Sequence, residues 1–392
     1  FAEVGSERVE RQLPVEIAPL PEVPDQVQHI AKPRFALHLA SFPGTLLTLR
    51  PESNLEDPAR TWIEVDLGAL VSNAKTVATR AAGARLLPMV KANAYGLGAA
   101  PVARALESLD PWGYGVATPE EGAELRAAGI TRRIVVFSPV TEALEAVAKH
   151  DLTPALGGVS QVRAWRGLAG DRPFHVQVDT GMGRAGIWWE AFPEKSRDFG
   201  GAPGFEGIFT HFHSAESDPA SVKQQWERFT AAVASLPRRP RLVHAANSAA
   251  ALGHPEVAAD LVRPGIFLYG GMAAPGIRPQ PVVTWRARVF EVGWREAGAT
   301  VSYGATFTAP GRISLTTIAA GYADGLDRKL SNVGEVLVGG RRLQIAGRVT
   351  MDMTTIWARD WAPEEGALAP LIGRDGAIEI IFIGQSDHYL IH

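Results

Sequence analysis

The chain has 392 residues, of which 46% are hydrophobic, a formal net charge of −3 and no cysteine. That length holds two ordinary domains with substantial cores, the small charge gives no strong pull toward nucleic acid or anionic membrane, and the absence of thiols excludes disulfides, thiolate nucleophiles and cysteine-bound metals. No segment approaches the roughly 20 apolar residues that span a bilayer and no secretory pattern opens the chain, so the expectation is a cytoplasmic protein with no membrane or nucleic-acid partner.

Residues 1–58 read as a proline-punctuated extension, with only 35–40 resembling a short ordered piece. Regularity begins at Thr61, and Asp66 is a candidate N-cap for an amphipathic helix. Eight apolar runs follow, at 86–90, 112–117, 134–137, 152–156, 174–178, 205–210, 242–245 and 261–269. Helix-like stretches such as 120–128 and 220–234 separate most of them. This alternation predicts parallel strands with right-handed crossovers, and eight units predict an α/β fold: a (β/α)8 barrel of the TIM type over residues 59–280. An open doubly wound sheet is the alternative, although the Rossmann glycine pattern after the first strand is missing. The proline-rich stretch 275–281 reads as a linker. Beyond it, 282–292, 300–308, 314–320, 335–338 and 343–345 read as strands without helices, and Gly339-Gly340 as a hairpin turn. Residues 281–392 are therefore expected to form a mainly β domain.

The polar motifs fall just after the predicted strands. Lys91 ends an apolar run and is followed by the turn Ala92-Asn93-Ala94-Tyr95-Gly96. An amine at the carboxyl end of a barrel strand lies where such folds keep their chemistry, and partial desolvation there lowers its pKa and makes it a Schiff-base former. A lone lysine more simply begins a solvated loop. Arg184 closes the motif Asp179-Thr180-Gly181-Met182-Gly183-Arg184 and can donate to an oxyanion, or merely decorate a turn. His211 and His213 have zinc-like spacing, but no third ligand accompanies them, so no metal is expected; packing of a histidine against an aromatic cofactor ring or a structural role fits better. Ser248 is either a phosphate contact or a helix N-cap. Gly265 permits close backbone approach, so the amides of Gly265 and Ile266 can donate to phosphate. Arg263 cannot surrender its proton; it would leave a pyridine nitrogen an acceptor, or else make a salt bridge at the barrel mouth. A lysine, a phosphate cradle, an arginine and a ring-stacking histidine suit pyridoxal 5'-phosphate.

In these stretches, and in 301–305, 321–325 and 347–352, the chain resembles the alanine racemase family of fold-type III pyridoxal-phosphate enzymes, from about residue 61 to about 378. The resemblance implies interconversion of L- and D-alanine by two bases, in a homodimer whose active sites lie at the subunit interface. Lys91 matches the lysine that holds the cofactor covalently and serves as one base; Tyr303 matches the opposing base, contributed by the partner subunit. Tyr95, Ser248, Gly265 and Ile266 match phosphate contacts, Asn247 a further cofactor contact, His211 the stacking residue and Arg263 the partner of the pyridine nitrogen. Arg184 matches the residue near the cofactor's phenolic oxygen and the substrate carboxylate, Met351 a substrate-carboxylate contact, and Tyr322, Arg328, Arg348 and Asp352 match the entrance.

Three departures accompany the match. Leu97 stands where the family usually has histidine, and Gln177 where many members carry a carbamylated lysine that positions the arginine matched by Arg184; the amide of Gln177 is expected to hydrogen-bond that arginine instead. After residue 378 the chain departs from the family pattern, as a truncation or frameshift would make it, which predicts an open sheet edge. The alternative functions are a non-catalytic pyridoxal-phosphate carrier and a racemase of broader amino-acid specificity.

Overall fold

A computed structural model describes residues 35–38, 46–51 and 60–372. The first strands, β1 (Phe35–His38), β2 (Leu46–Pro51) and β3 (Thr61–Asp66), pair antiparallel in sequence order. Asp66 ends β3 and starts the first helix, Leu67–Arg80, by accepting the amide of Ala69 at 2.8 Å. The predicted N-cap is thus observed.

Nine strands follow: β4 (Arg85–Leu86), β5 (Gly113–Val116), β6 (Arg133–Phe137), β7 (Thr153–Leu156), β8 (Phe174–Asp179), β9 (Ile187–Trp188), β10 (Phe205–Phe209), β11 (Leu242–His244) and β12 (Leu261–Val262). Eight of them form one parallel sheet in the order β5-β6-β7-β8-β10-β11-β12-β4, while β9 pairs with β8 alone. The ends of this sheet meet. Trp112 donates to the Leu86 carbonyl at 2.8 Å, Val90 donates to the Gly115 carbonyl at 2.8 Å, and Met89 bridges Gly115 in parallel. A barrel, not the open sheet, is therefore formed. Leu87, Trp112, Val135, Ala155, Phe209, Leu242 and Leu261 pack inside it, as barrel interiors require. Two predicted runs are shorter than expected. The run at 261–269 leaves the sheet after Val262, and Ile266–Tyr269 winds into a 3-10 turn. The run at 86–90 keeps regular pairing only at Arg85–Leu86.

The second sheet is antiparallel and centred on β13 (Val283–Arg295). With it run β14 (Thr300–Val301) and β15 (Phe307–Thr308), a separate pair, then β16 (Ile313–Ile318), β17 (Glu335–Val338), β18 (Arg341–Ile345), β19 (Thr354–Ala358) and β20 (Leu368–Ile372). β13 pairs with β3 and β20 through its first half and with β16 through its second, a bulge at 289–291 marking the change. Gly339 and Gly340, with φ of 55° and 76°, make the expected turn between β17 and β18. Three features were not legible beforehand. β2 and β3 join this sheet, although strands were not expected before the barrel; β19 and β20 complete it; and 300–308 is broken by a turn after Val301. The predicted linker is pinned, because Gln280 exchanges two hydrogen bonds with the Asn73 side chain, at 2.7 and 2.9 Å. The expected open edge after residue 378 lies outside the described residues. Among those described, no helix is long and apolar enough to cross a membrane.

Candidate active site

Lys91 stands at the carboxyl end of the first barrel strand, and the four residues after it are left-handed. Ala92, Asn93, Ala94 and Tyr95 have φ between 51° and 57°. For residues with a Cβ this costs about 1–2 kcal/mol each, so the turn exists only because its surroundings hold it. Glu121 Oε1 accepts the Ala92 amide at 2.6 Å, and Asn93 Oδ1 accepts the Ala99 amide at 2.8 Å. Tyr95 stacks on Tyr269 with centroids 4.4 Å apart, and the Tyr269 hydroxyl donates to the Met89 carbonyl at 2.8 Å. Lys91 itself is exposed. The expected desolvation does not arise within one chain, because this face of the barrel is open there.

Beside this turn lies the segment read as a phosphate cradle. Asn247, not Ser248, caps the helix Ser248–Gly253, accepting the Ala250 amide at 3.0 Å. The innocent role considered for Ser248 is thus taken by its neighbour. Ser248 is buried and its Oγ accepts the Gly265 amide at 2.9 Å, so Gly265 is not the free donor the sequence suggested. A Cβ at Gly265 would collide with the Tyr95 hydroxyl. Tyr95, Ser248, Gly265 and Ile266 therefore converge on one spot.

Arg263 is buried inside the barrel mouth. Its Nη2 donates to the carbonyls of Thr210 and Ala245, at 2.7 and 2.9 Å, and to His211 Nδ1 at 3.3 Å, while its Nη1 donates to His244 Nδ1 at 2.9 Å. The Phe209 and Phe137 rings lie 5.3 and 5.9 Å from it. Among the described residues no carboxylate pairs with this guanidinium, so the salt-bridge reading fails. Burial pushes its pKa down to about 9, which leaves it charged at neutral pH. His211 is driven down to about 3 by desolvation and by the charges of Arg263, Arg184 and Lys91. It is a neutral ring with its proton on Nε2, since Nδ1 accepts from Arg263. His213 turns instead to Ser214 Oγ, 2.7 Å away. No cluster of three His, Asp or Glu suited to a metal occurs among the described residues.

The loop bearing Arg184 is organised by Asp179. Its Oδ1 accepts the amides of Gly181 and Gly183, at 2.9 and 3.1 Å, and its Oδ2 that of Arg184 at 3.1 Å. The Arg184 side chain is exposed. Gln177 does not hydrogen-bond it, contrary to expectation: Gln177 is buried, and its Oε1 accepts the Ser138 hydroxyl at 3.4 Å. Leu97 is buried in the hydrophobic core.

The remaining predicted residues lie on the β domain. Tyr303 is 70% exposed on a turn whose neighbours Ser302, Gly304 and Ala305 have φ of 63°, 73° and 49°. Ser302 Oγ ties that turn to the Arg348 carbonyl at 2.7 Å. Met351 and Tyr322 are also exposed, and Arg328 lies over the Tyr322 ring. Asp352 meets Arg60, whose Nη1 donates to its carbonyl at 2.6 Å. Within one chain, no hydrogen bond, ion pair or ring contact among the described residues joins Tyr303, Met351 or the entrance residues to Lys91.

The sequence profile "Alanine racemase, N-terminal domain" matches residues 65–273, and "Alanine racemase, C-terminal domain" matches 282–384. The chain belongs to the alanine racemase family. It is 40% identical over 345 residues to the alanine racemase of Symbiobacterium thermophilum, covering 83% of this chain and 91% of that one. With the alanine racemase of Carboxydothermus hydrogenoformans the identity is 37% over 344 residues, covering 83% and 93%. Among solved structures it resembles alanine racemase from a D-cycloserine-producing Streptomyces lavendulae, with a TM-score of 0.75 and 33% identity, over 81% of this chain and 88% of that one. A Bartonella henselae alanine racemase with covalently bound pyridoxal phosphate gives a TM-score of 0.74 and 32% identity, over 81% and 92%.

Against this family background, the residues that sequence reasoning missed are supporting ones. Glu121 holds the turn after Lys91, Tyr269 clamps Tyr95, and His244 receives Arg263. Only Glu121 left a signal: Thr118-Pro119-Glu120-Glu121 is a capping box, which the structure forms.

Proposed function

We propose that this chain interconverts L- and D-alanine with pyridoxal 5'-phosphate, with Lys91 of one protomer and Tyr303 of its partner acting on opposite faces of the substrate. The donor set fits the cofactor. Tyr95, Ser248 and the glycine at 265 crowd one end of the mouth, where a side chain at 265 would not fit. A neutral His211 offers a flat ring, and Arg263 offers a fixed N–H. When bound, the cofactor withdraws electrons from the substrate Cα and makes its proton removable. Lys91 would hold the cofactor and serve as base on one face. Tyr303 would serve on the other, because a single base cannot remove a proton from one face and return it to the opposite face without moving. Arg263 can only donate, so a pyridine nitrogen facing it stays an acceptor. That weakens the electron sink and favours prompt reprotonation over transamination. Arg184 and Met351 would bind the carboxylate, and Tyr322, Arg328, Arg348 and Asp352 would line the way in. In this reading residues 59–280 bind the cofactor and 281–392 complete the partner's site.

The observation that carries this reading is the buried Arg263, held by neutral acceptors and beside His211, which also feels the charges of Arg184 and the exposed Lys91. A presence of Tyr303 on its pinned turn favours a racemase over a non-catalytic carrier. The test is spectroscopic and chemical. Purified protein with pyridoxal phosphate should show a visible band that borohydride abolishes, with the label on Lys91 by peptide mapping. Both alanine enantiomers should exchange their Cα proton for deuterium. Label at another residue, or exchange in neither enantiomer, overturns the proposal.

A further inference from the structure

Two buried groups of the barrel have no part in the chemistry above. His175 on β8 and Glu206 on β10 place Nε2 and Oε2 3.8 Å apart, and both atoms are buried without a hydrogen-bond partner. Gly207 makes room for the imidazole: a Cβ there would lie 2.7 Å from the His175 ring. On its other side, His175 Nδ1 is 2.9 Å from His244 Nε2, and His244 Nδ1 is 2.9 Å from Arg263 Nη1. Trp112 packs near His175, and Phe209 stacks on His244 at 5.0 Å. Four polar groups thus form one line through the barrel interior. It ends at Glu206, which Arg133 and Arg241 each approach to 3.9 Å.

The protons on this line have only one consistent arrangement. A guanidinium N–H donates and never accepts. His244 Nδ1 must then accept, so its proton sits on Nε2 and is donated to His175 Nδ1. The proton of His175 is left on Nε2, aimed at Glu206 Oε2. Reversing the middle link would require His244 to carry no ring proton at all.

We propose that His175 and Glu206 are positioning residues for Arg263: they lock His244 in its Nε2–H tautomer, hold the guanidinium in place through it, and set the Glu206 carboxylate as the distant counter-charge of the buried cation. Desolvation opposes ionisation of Glu206, yet His175, Arg133 and Arg241 together hold its carboxyl below the usual range. The proposal rests on the function argued above only for what Arg263 faces; the tautomers belong to the chain itself.

Nitrogen NMR of the full chain, labelled with 15N-histidine and loaded with pyridoxal phosphate, tests it without a variant. His175 and His244 should both carry their ring proton on Nε2. A proton on Nδ1 of either ring overturns the proposal, even if Glu206→Gln proves unable to fold. In the second arm, Glu206→Gln keeps the shape and removes the charge. It should lower kcat about tenfold at unchanged KM, the low end of what outer partners contribute at metal sites. It should also shift the pH midpoint of the bound cofactor's visible band by roughly half a unit, as loss of a distant charge would. Glu206→Asp should recover both in part. A folded Glu206→Gln protein with wild-type kcat and midpoint overturns the proposal. A protein that takes up no pyridoxal phosphate sinks the function instead, and its histidine spectra still decide the tautomers.

Discussion

Arg263 shows how far the meaning of one residue depends on its neighbours. Its charge lies among two carbonyls, two imidazole nitrogens and two aromatic faces. Arg263→Met would leave the Thr210 and Ala245 carbonyls buried and unpaired, at about 1–3 kcal/mol for each lost partner. Urea unfolding should register a loss of about 3 kcal/mol or more; an unchanged midpoint would mean the guanidinium contributes only to chemistry. The histidines give a pH dependence of definite sign. His244 is held well below 6.5 by burial, Arg263 and His175, and His211 is held at about 3. In the unfolded chain both take up protons below about 6.5, which the fold refuses. Their contribution to stability is therefore complete above about pH 6.5 and drains as pH falls toward the folded values, by at most about 1.4 kcal/mol per pH unit for each ring. Urea midpoints measured on the wild type and His244→Gln should differ by a constant amount above that pH and converge below it. Parallel curves would show that His244 does not titrate in this way.

At the scale of elements, the left-handed turn after Lys91 and the turn bearing Tyr303 share a design. Each places strained backbone next to a proposed base, Lys91 or Tyr303, and other contacts keep that backbone in place. Ala92→Gly should relax one left-handed residue and stabilise the fold by about 1 kcal/mol, while letting Lys91 wander and lowering kcat. Calorimetry and steady-state rates measured together check this, and a variant neither more stable nor slower would show the strain to be incidental. How legible these elements were follows from the same physics. The alternation of apolar runs and helical stretches announced most of the barrel strands to within a residue or so, the first and last excepted, because burial on both faces leaves a continuous apolar run. The left-handed turn was invisible. Of Ala92, Asn93 and Ala94 only the asparagine has any local preference for it, and the carboxylate that secures it is Glu121, 29 positions along the chain. β19 and β20 were missed for a related reason: β19 pairs with β16 as well as β18, and β20 pairs with β13, so most of their partners lie far away in sequence.

At the scale of the molecule, the exposed Tyr303, Met351 and Tyr322 point beyond the single chain. Side chains 70%, 54% and 42% exposed form an apolar face on the β domain, while the barrel mouth that holds Lys91 is open. A two-fold dimer that laid each face on the other protomer's mouth would cover both at once. The arrangement makes a quantitative prediction. Lys91→Ala and Tyr303→Phe should each be inactive alone, but after mixing and subunit exchange one intact site forms in every heterodimer. Random pairing then restores about a quarter of wild-type activity. If the mixture stays as inactive as its parts, both bases belong to one chain, or the subunits do not exchange; a mass-labelled exchange control separates these outcomes.

The amino-acid order by itself determined the barrel's strands and helices and which chemical types stand at their ends, because hydrophobic period and turn residues act locally. Lys91, His211, Ser248, Arg263 and Tyr303 could all be named from it. Only the tertiary structure decided that Arg263 has neutral acceptors and no carboxylate beside it, that Asn247 takes the cap and frees Ser248 for Gly265, and that His175, 69 positions from His244, continues its line to Glu206. Those facts depend on which strands become neighbours when the barrel closes, and closure brings together residues that no local pattern connects.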